Sequence, residues 1–352
     1  MVSNSPIDHV IESASYVNEH SKFVKINNDK ILEFIKNINK DEYEAKSSVV
    51  QFPLNFSNAQ QEANFWFTLD LINFGSGFRK ELHELSGRGA YETICYGLFG
   101  MFLSQSGNLS AKFLGGLSLN EVGSYFSIPA QVEFELQPGI YSYKDSPLKP
   151  LILKIQKVLK ESSEAMEELG YKDFGEFIWK ITDPKSTQQP PLASEFIEKI
   201  LDKIPAFRDT ATLGDHKIYI YKKVQLLAAD LYRRFKDTIP DRFGFQDVDK
   251  ITVFTDNVLP AVLRHFGILQ VDPELETEIN ESKELQSGSQ KEVELRVQAI
   301  QACLVIINVA NQSSETSFIK NSMKLDYYLW TKGKDESIRK FERHICKDTV
   351  YY

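Results

Sequence analysis

Apolar residues recur at helical spacing along most of the chain. Ile31, Phe34, Ile35 and Ile38 fall three or four apart, and the same spacing returns over residues 151–159 and, most clearly, 293–309. That period predicts amphipathic helices. Few stretches alternate with period two. Residues 128–143 carry Pro129, Pro138 and Gly139 among scattered aromatics, which predicts a loop or short hairpin. The pattern therefore implies a mainly α, all-helical fold with at most a short hairpin.

Two polar segments interrupt it. Residues 183–191, DPKSTQQPP, form a proline-rich connector before a helix expected to begin near Ser194, its N-cap. Residues 272–291 are acidic at first and then rich in Gln, Ser and Gly. Neither marks a domain boundary, so a single domain over 1–352 is expected, built as one body or as two packed helical lobes, 1–190 and 191–352. No repeat of solenoid or propeller period is present.

Composition narrows the classes. With 352 residues and 42% hydrophobic content the chain can bury a large core. Lys and Arg total 41 against 49 acidic residues, a net charge of −8, which opposes stable binding to a polyanion while leaving room for a local phosphate pocket. Cys95, Cys303 and Cys346 show no CxxC or Cys/His metal spacing, so neither disulfides nor a metal is expected. The N-terminus lacks a signal pattern and no apolar run approaches the ~18 residues of a membrane span. A monomer of the cytoplasm, with the nucleus as a second location, and without membrane association or cofactor is the expectation.

Residues 207–269 carry the clearest chemistry. A helix ending near Ile204, a connector with Gly214 and Asp215, and a second amphipathic helix over Lys222–Phe235 suggest a helix-hairpin-helix unit. Lys222 opens that second helix. Asp256 follows the apolar 251–254 run at the mouth of the next helix, a spacing that resembles helix-hairpin-helix DNA glycosylases, in which an aspartate faces C1′ of the nucleoside and a lysine lies opposite. A fixed carboxylate there stabilises the cationic sugar formed as a C–N glycosidic bond breaks. On spacing alone an N-cap is the plainer reading of Asp256, and the two roles are compatible.

Other clusters read more plainly. Trp66, Asp70, Asn73 and Phe74 recur at helical spacing and suit a planar heterocycle, although a core helix with a turn at GSG explains them as well. Arg79, Lys80 and Arg88 are available for a phosphate. The Gly75, Gly77, Gly87 and Gly89 pairs lack the spacing of a nucleotide fingerprint. Glu292 and Arg296, four apart, predict an exposed helical ion pair. Asp326, set among Leu325, Tyr327, Tyr328, Leu329 and Trp330, is expected to be partly buried and to need a partner.

Taken in order, LDLINFGSGFRKELH, YKKVQLLAADLY, KITVFTDNVLP, KEVELR, LDYYLW and a terminal Tyr-Tyr resemble the queuosine salvage family, the queuosine 5′-phosphate N-glycosylase/hydrolases. The resemblance runs from about residue 10 to the last residue. It implies an all-helical fold related to DNA glycosylases, queuosine 5′-monophosphate as substrate, and release of queuine for tRNA modification. By motif, Asp256 is then the carboxylate at the glycosidic bond, Asp326 and Tyr327 hold the base, and Phe254 packs on it. Lys222 follows from the glycosylase analogy. Phe52, Asp70, Asn73 and Phe74 complete the expected substrate contacts, Phe52 standing where some members of the family carry a histidine. Two other classes compete: a DNA or RNA base glycosylase, and a non-enzymatic helical scaffold whose carboxylates only cap and pair.

Overall fold

A computed structural model describes residues 5–47 and 52–352. Among the described residues eighteen α-helices dominate, with six strands. The strands form three separate antiparallel pairs, so the expectation of at most one short hairpin is corrected. Gln131–Gln137 and Ile140–Asp145 form the expected hairpin, turning at Gly139 with φ +79. A second hairpin, Thr210–Leu213 with His216–Tyr219, occupies the connector before Lys222 and turns at Gly214. The third pair joins Val24–Ile26 to Leu269–Val271. Strands of three residues are too short to show a period-two pattern.

Two buried helices organise the interior. Ala59–Leu71 is buried on almost every side because it packs against Ala90–Ser104, Phe174–Ile181 and Lys222–Phe235. Its start is set by Asn58, whose side chain accepts the Gln61 N–H at 2.9 Å. Gln290–Ala310 packs against Pro6–His20, Asn28–Asn37, Val258–His265 and Ser322–Lys332. This helix is long and apolar enough to cross a membrane, contrary to the expectation from the sequence, yet its most apolar window is 67% buried inside the protein.

Its first half also buries Glu292, Glu294, Arg296 and Gln298, each tied to distant chain. Glu294 accepts the backbone N–H groups of Lys22, Phe23 and Val24, and Gln298 donates to the Val24 carbonyl at 3.0 Å. Buried charges of this kind are tolerated because their hydrogen bonds are complete. Apolar side chains from Ile7 to Ile338 form one cluster, which crosses residue 190 without interruption.

The helix expected near Ser194 spans Ala193–Lys203. Its cap comes from elsewhere: Asp247 accepts the N–H groups of Ala193 at 2.6 Å and Ser194 at 3.1 Å. Ser194 itself lies inside the helix and donates its hydroxyl to Asp247.

Candidate active site

Three helices turn i, i+4 stripes toward one cavity of about 220 Å³. Ala59–Leu71 contributes Trp66 and Asp70, Lys222–Phe235 contributes Lys222, Leu226 and Asp230, and Ser322–Lys332 contributes Asp326, Tyr327 and Trp330. The irregular segment before Val258–His265 adds Phe254, Asp256 and Asn257. All nine residues singled out from the sequence line this cavity, Phe52, Asn73 and Phe74 included. Asn73 and Phe74 are not helical. The helix stops at Leu71, and a turn through Gly75, with φ +103, brings them to the wall, a backbone conformation that favours glycine.

Lys222 and Asp256 are positioned by a shared buried ion pair. Tyr221 adopts φ +51 just before the helix, a strained conformation for a side chain of that size. Asp209 holds it. Its carbonyl accepts the Ile220 and Tyr221 N–H groups and its carboxylate accepts the Lys222 N–H at 3.3 Å. The same carboxylate takes two hydrogen bonds from Arg296, at 3.1 and 2.6 Å, while Arg296 also donates to the Thr255 carbonyl. Thr255 immediately precedes Asp256. The exposed Glu292–Arg296 pair expected from the sequence is thus corrected: both side chains are buried, and Arg296 lies over the Tyr352 ring at 4.2 Å. Helical period shows that the two residues share a face, and only packing decides what covers it.

The Lys222 ammonium donates to the Asn73 carbonyl at 2.9 Å and to Asn73 Oδ1 at 3.3 Å. Burial lowers its pKa, opposed by Asp256 and then Asp70. The expected Asp256 cap is corrected: the N-cap of Val258–His265 is Asn257, whose side chain makes no capping hydrogen bond, while Asp256, one residue earlier, accepts the Val258 N–H through Oδ1 at 2.6 Å and lines the cavity.

One end of the cavity is rich in carboxylates. Asp326 accepts the Phe254 N–H at 2.7 Å, so it fixes the backbone two residues before Asp256. Burial raises its carboxyl to about 7. Asp230 pairs with Arg233 and accepts the Tyr327 hydroxyl at 3.3 Å, and the Arg233 guanidinium lies 4.1 Å from the Tyr327 ring centre. Burial, then the charge of Asp230, pushes the Asp70 carboxyl well above the usual carboxylate range.

The other end is cationic. Arg79, His83, Lys334, Arg339 and Arg343 gather there, with Glu92 acting on His83 and Lys334. Arg79 donates to the Arg339 carbonyl and Arg343 to the Gly333 carbonyl, each at 2.9 Å. Burial lowers Arg343 to about 10, reinforced by the like charge of Arg79, and burial followed by Arg339 lowers Arg79. Of the three cations considered from the sequence, only Arg79 reaches the cavity. Lys80 donates to Ser282 and pairs with Glu342, and Arg88 lies over the Tyr96 ring.

Asp230, Arg339 and Arg343 were not anticipated. Asp230 continues the i, i+4 series from Lys222, so a stripe search would have raised it, whereas Arg343 lies in irregular chain beyond Glu336–Arg339, where spacing gives no such signal. Among the described residues, no group of three or more His, Cys, Asp or Glu side chains is arranged to hold a metal. A second hollow, of about 420 Å³, runs past Gln189, Tyr232 and Gln246 and gathers no comparable set of buried charges.

The family model described as queuosine salvage protein matches residues 54–352. A queuosine 5′-phosphate N-glycosylase/hydrolase of Sphaerobacter thermophilus is 26% identical over 203 residues, 58% of each protein. The Bos taurus protein of that name is 26% identical over 78% of this chain and 86% of its own length. That of Nematostella vectensis is 24% identical over 93% of this chain and 94% of its own length.

Proposed function

Because the chain belongs to the queuosine salvage protein family, we propose that it hydrolyses the N-glycosidic bond of queuosine 5′-monophosphate and releases queuine for reuse in tRNA modification. The observation that carries this reading is the bipolar cavity, with Asp256 between buried carboxylates and a group of arginines. Asp256 interacts electrostatically with Lys222 and Asp326 and also with Arg343.

The substrate's chemistry explains the layout. Queuine is a 7-deazaguanine with carbon where a purine has its basic N7, so protonation there cannot prepare the base to leave. Stabilising the sugar cation is then the main route. Asp256 faces the developing charge at C1′, where a preorganised carboxylate acts without reorganisation. Water supplies the oxygen that bonds to C1′ as the C–N bond breaks, and the departing base takes up a proton. Asp326 accepts N–H groups of the base and Tyr327 and Phe254 flank it. Arg79, Arg339 and Arg343 receive the 5′-phosphate, whose charge relieves their mutual repulsion.

A relation to helix-hairpin-helix DNA glycosylases is part of the same proposal. It is supported by the succession of Ala193–Lys203, a β-hairpin and Lys222–Phe235, with Lys222 opening the last helix. A free nucleotide rather than a strand is favoured by the net charge of −8. The test is incubation with queuosine 5′-monophosphate, with tRNA and with duplex DNA, followed by mass detection of released base. Queuine from the nucleotide alone is expected. Base released only from a polymer would overturn the proposal.

A further inference from the structure

Near Asp230, two polar groups have no hydrogen-bond partner among the described residues. Asp70 and Trp66 lie one helical turn apart on Ala59–Leu71, are 1% and 8% exposed, and both line the cavity. Among the described residues, Asp70 Oδ2 and Trp66 Nε1 are buried without a hydrogen-bond partner. Their neighbours are already committed. Asp230 is held by Arg233 and Tyr327, Lys222 by Asn73, and Lys223 donates to the Leu71 carbonyl at 2.7 Å. A buried acceptor and a buried donor left open side by side destabilise the empty protein unless a ligand completes them.

We propose that Asp70 and Trp66 form a subsite for an alkylammonium group bearing neighbouring hydroxyls, Asp70 accepting from the ammonium and the Trp66 indole N–H donating to a hydroxyl. Resting on the queuosine reading, this assigns the pair to the arm of the substrate, a secondary amine that carries a cyclopentenediol. The surroundings fit such an arm. Phe52 packs against Trp66 with ring centres 5.2 Å apart and offers apolar surface to the cyclopentene ring, while Asp230, itself paired with Arg233, and the ammoniums of Lys222 and Lys223 also act on Asp70. The empty site favours a protonated Asp70, and an arriving cation makes the ionised form the stable one. The subsite therefore selects bases with a charged arm over bare 7-deazaguanine or guanine.

Calorimetric affinities of queuine and 7-deazaguanine for the wild type, Asp70→Asn and Trp66→Phe test the subsite without requiring turnover. The wild type is expected to prefer queuine. Asp70→Asn should reduce that preference by about 10-fold or more, the scale of a lost charge-assisted hydrogen bond, with 7-deazaguanine affinity unchanged. Trp66→Phe should reduce it in the same sense and supplies the answer if the aspartate variant fails to fold. An unchanged preference, or an equal loss for both bases, would overturn the subsite. Release of queuine measured in parallel separates the two ideas: a wild type that binds queuine through Asp70 but cleaves no nucleotide removes the proposed activity and leaves the subsite standing.

Discussion

Arg296 grips Asp209 through two hydrogen bonds, at 2.6 and 3.1 Å, across 87 residues of chain. Through the Thr255 carbonyl and the Lys222 N–H, this one pair fixes both sides of the proposed chemistry. Removing one partner leaves a buried charge uncompensated, so Asp209→Asn is expected to cost about 3–5 kcal/mol of stability. Urea denaturation measures the loss. A variant as stable as the wild type would show that the pair does not organise this interior.

Asp256→Asn keeps an oxygen for the Val258 N–H and so keeps that hydrogen bond. It removes the negative charge from the cavity. Normal folding with turnover of queuosine 5′-monophosphate reduced at least about 10²-fold is expected, the scale of one preorganised electrostatic group. Near-normal turnover in the folded variant would take Asp256 out of the chemistry.

The arginine end should distinguish nucleotide from nucleoside. Arg343→Ala or Arg339→Ala is expected to raise KM for the 5′-monophosphate by about 10-fold or more, since hydrogen bonds to charged groups are worth about 1.5–3 kcal/mol. Parameters for queuosine lacking the phosphate should change little. Equal losses on both substrates would argue for a structural role instead.

Asp326 predicts a pH dependence. Its carboxyl is raised from the ordinary 3.8 to about 7, so between those values the folded protein keeps a proton that the unfolded chain has lost. Its contribution to stability is fully present below about pH 4 and falls as pH rises toward about 7, by ~4 kcal/mol at most. Asp326→Asn does not titrate and retains an acceptor for the Phe254 N–H. The stability difference, wild type minus variant, should therefore decline across that window and level off above it. His344, buried and lowered to about 3, works in the opposite sense but is present in both proteins and cancels. A difference that stays flat from pH 4 to 7 would contradict the burial of an ionisable Asp326.

Much of the site is legible in the chain because a helix has one period. Residues such as Trp66 and Asp70 necessarily share a face once their segment is helical, and the unusual identities on that face made them candidates. The order of motifs from LDLINFGSGFRKELH to LDYYLW carried the resemblance without any knowledge of which motif touches which.

Burial and partnership were decided elsewhere. Nothing near KEVELR distinguishes a solvated ion pair from an interior one, because the deciding residue, Asp209, lies far away in sequence. The cap of Ala193–Lys203 likewise comes from Asp247, and the three-residue strands Val24–Ile26 and Leu269–Val271 exist only because each finds the other. Local period determined the helices and their faces. Which faces met, which charges lost their water, and which arginines gathered opposite Asp256 depended on long-range packing, since desolvation belongs to the assembled surroundings of a side chain and not to its neighbours in sequence.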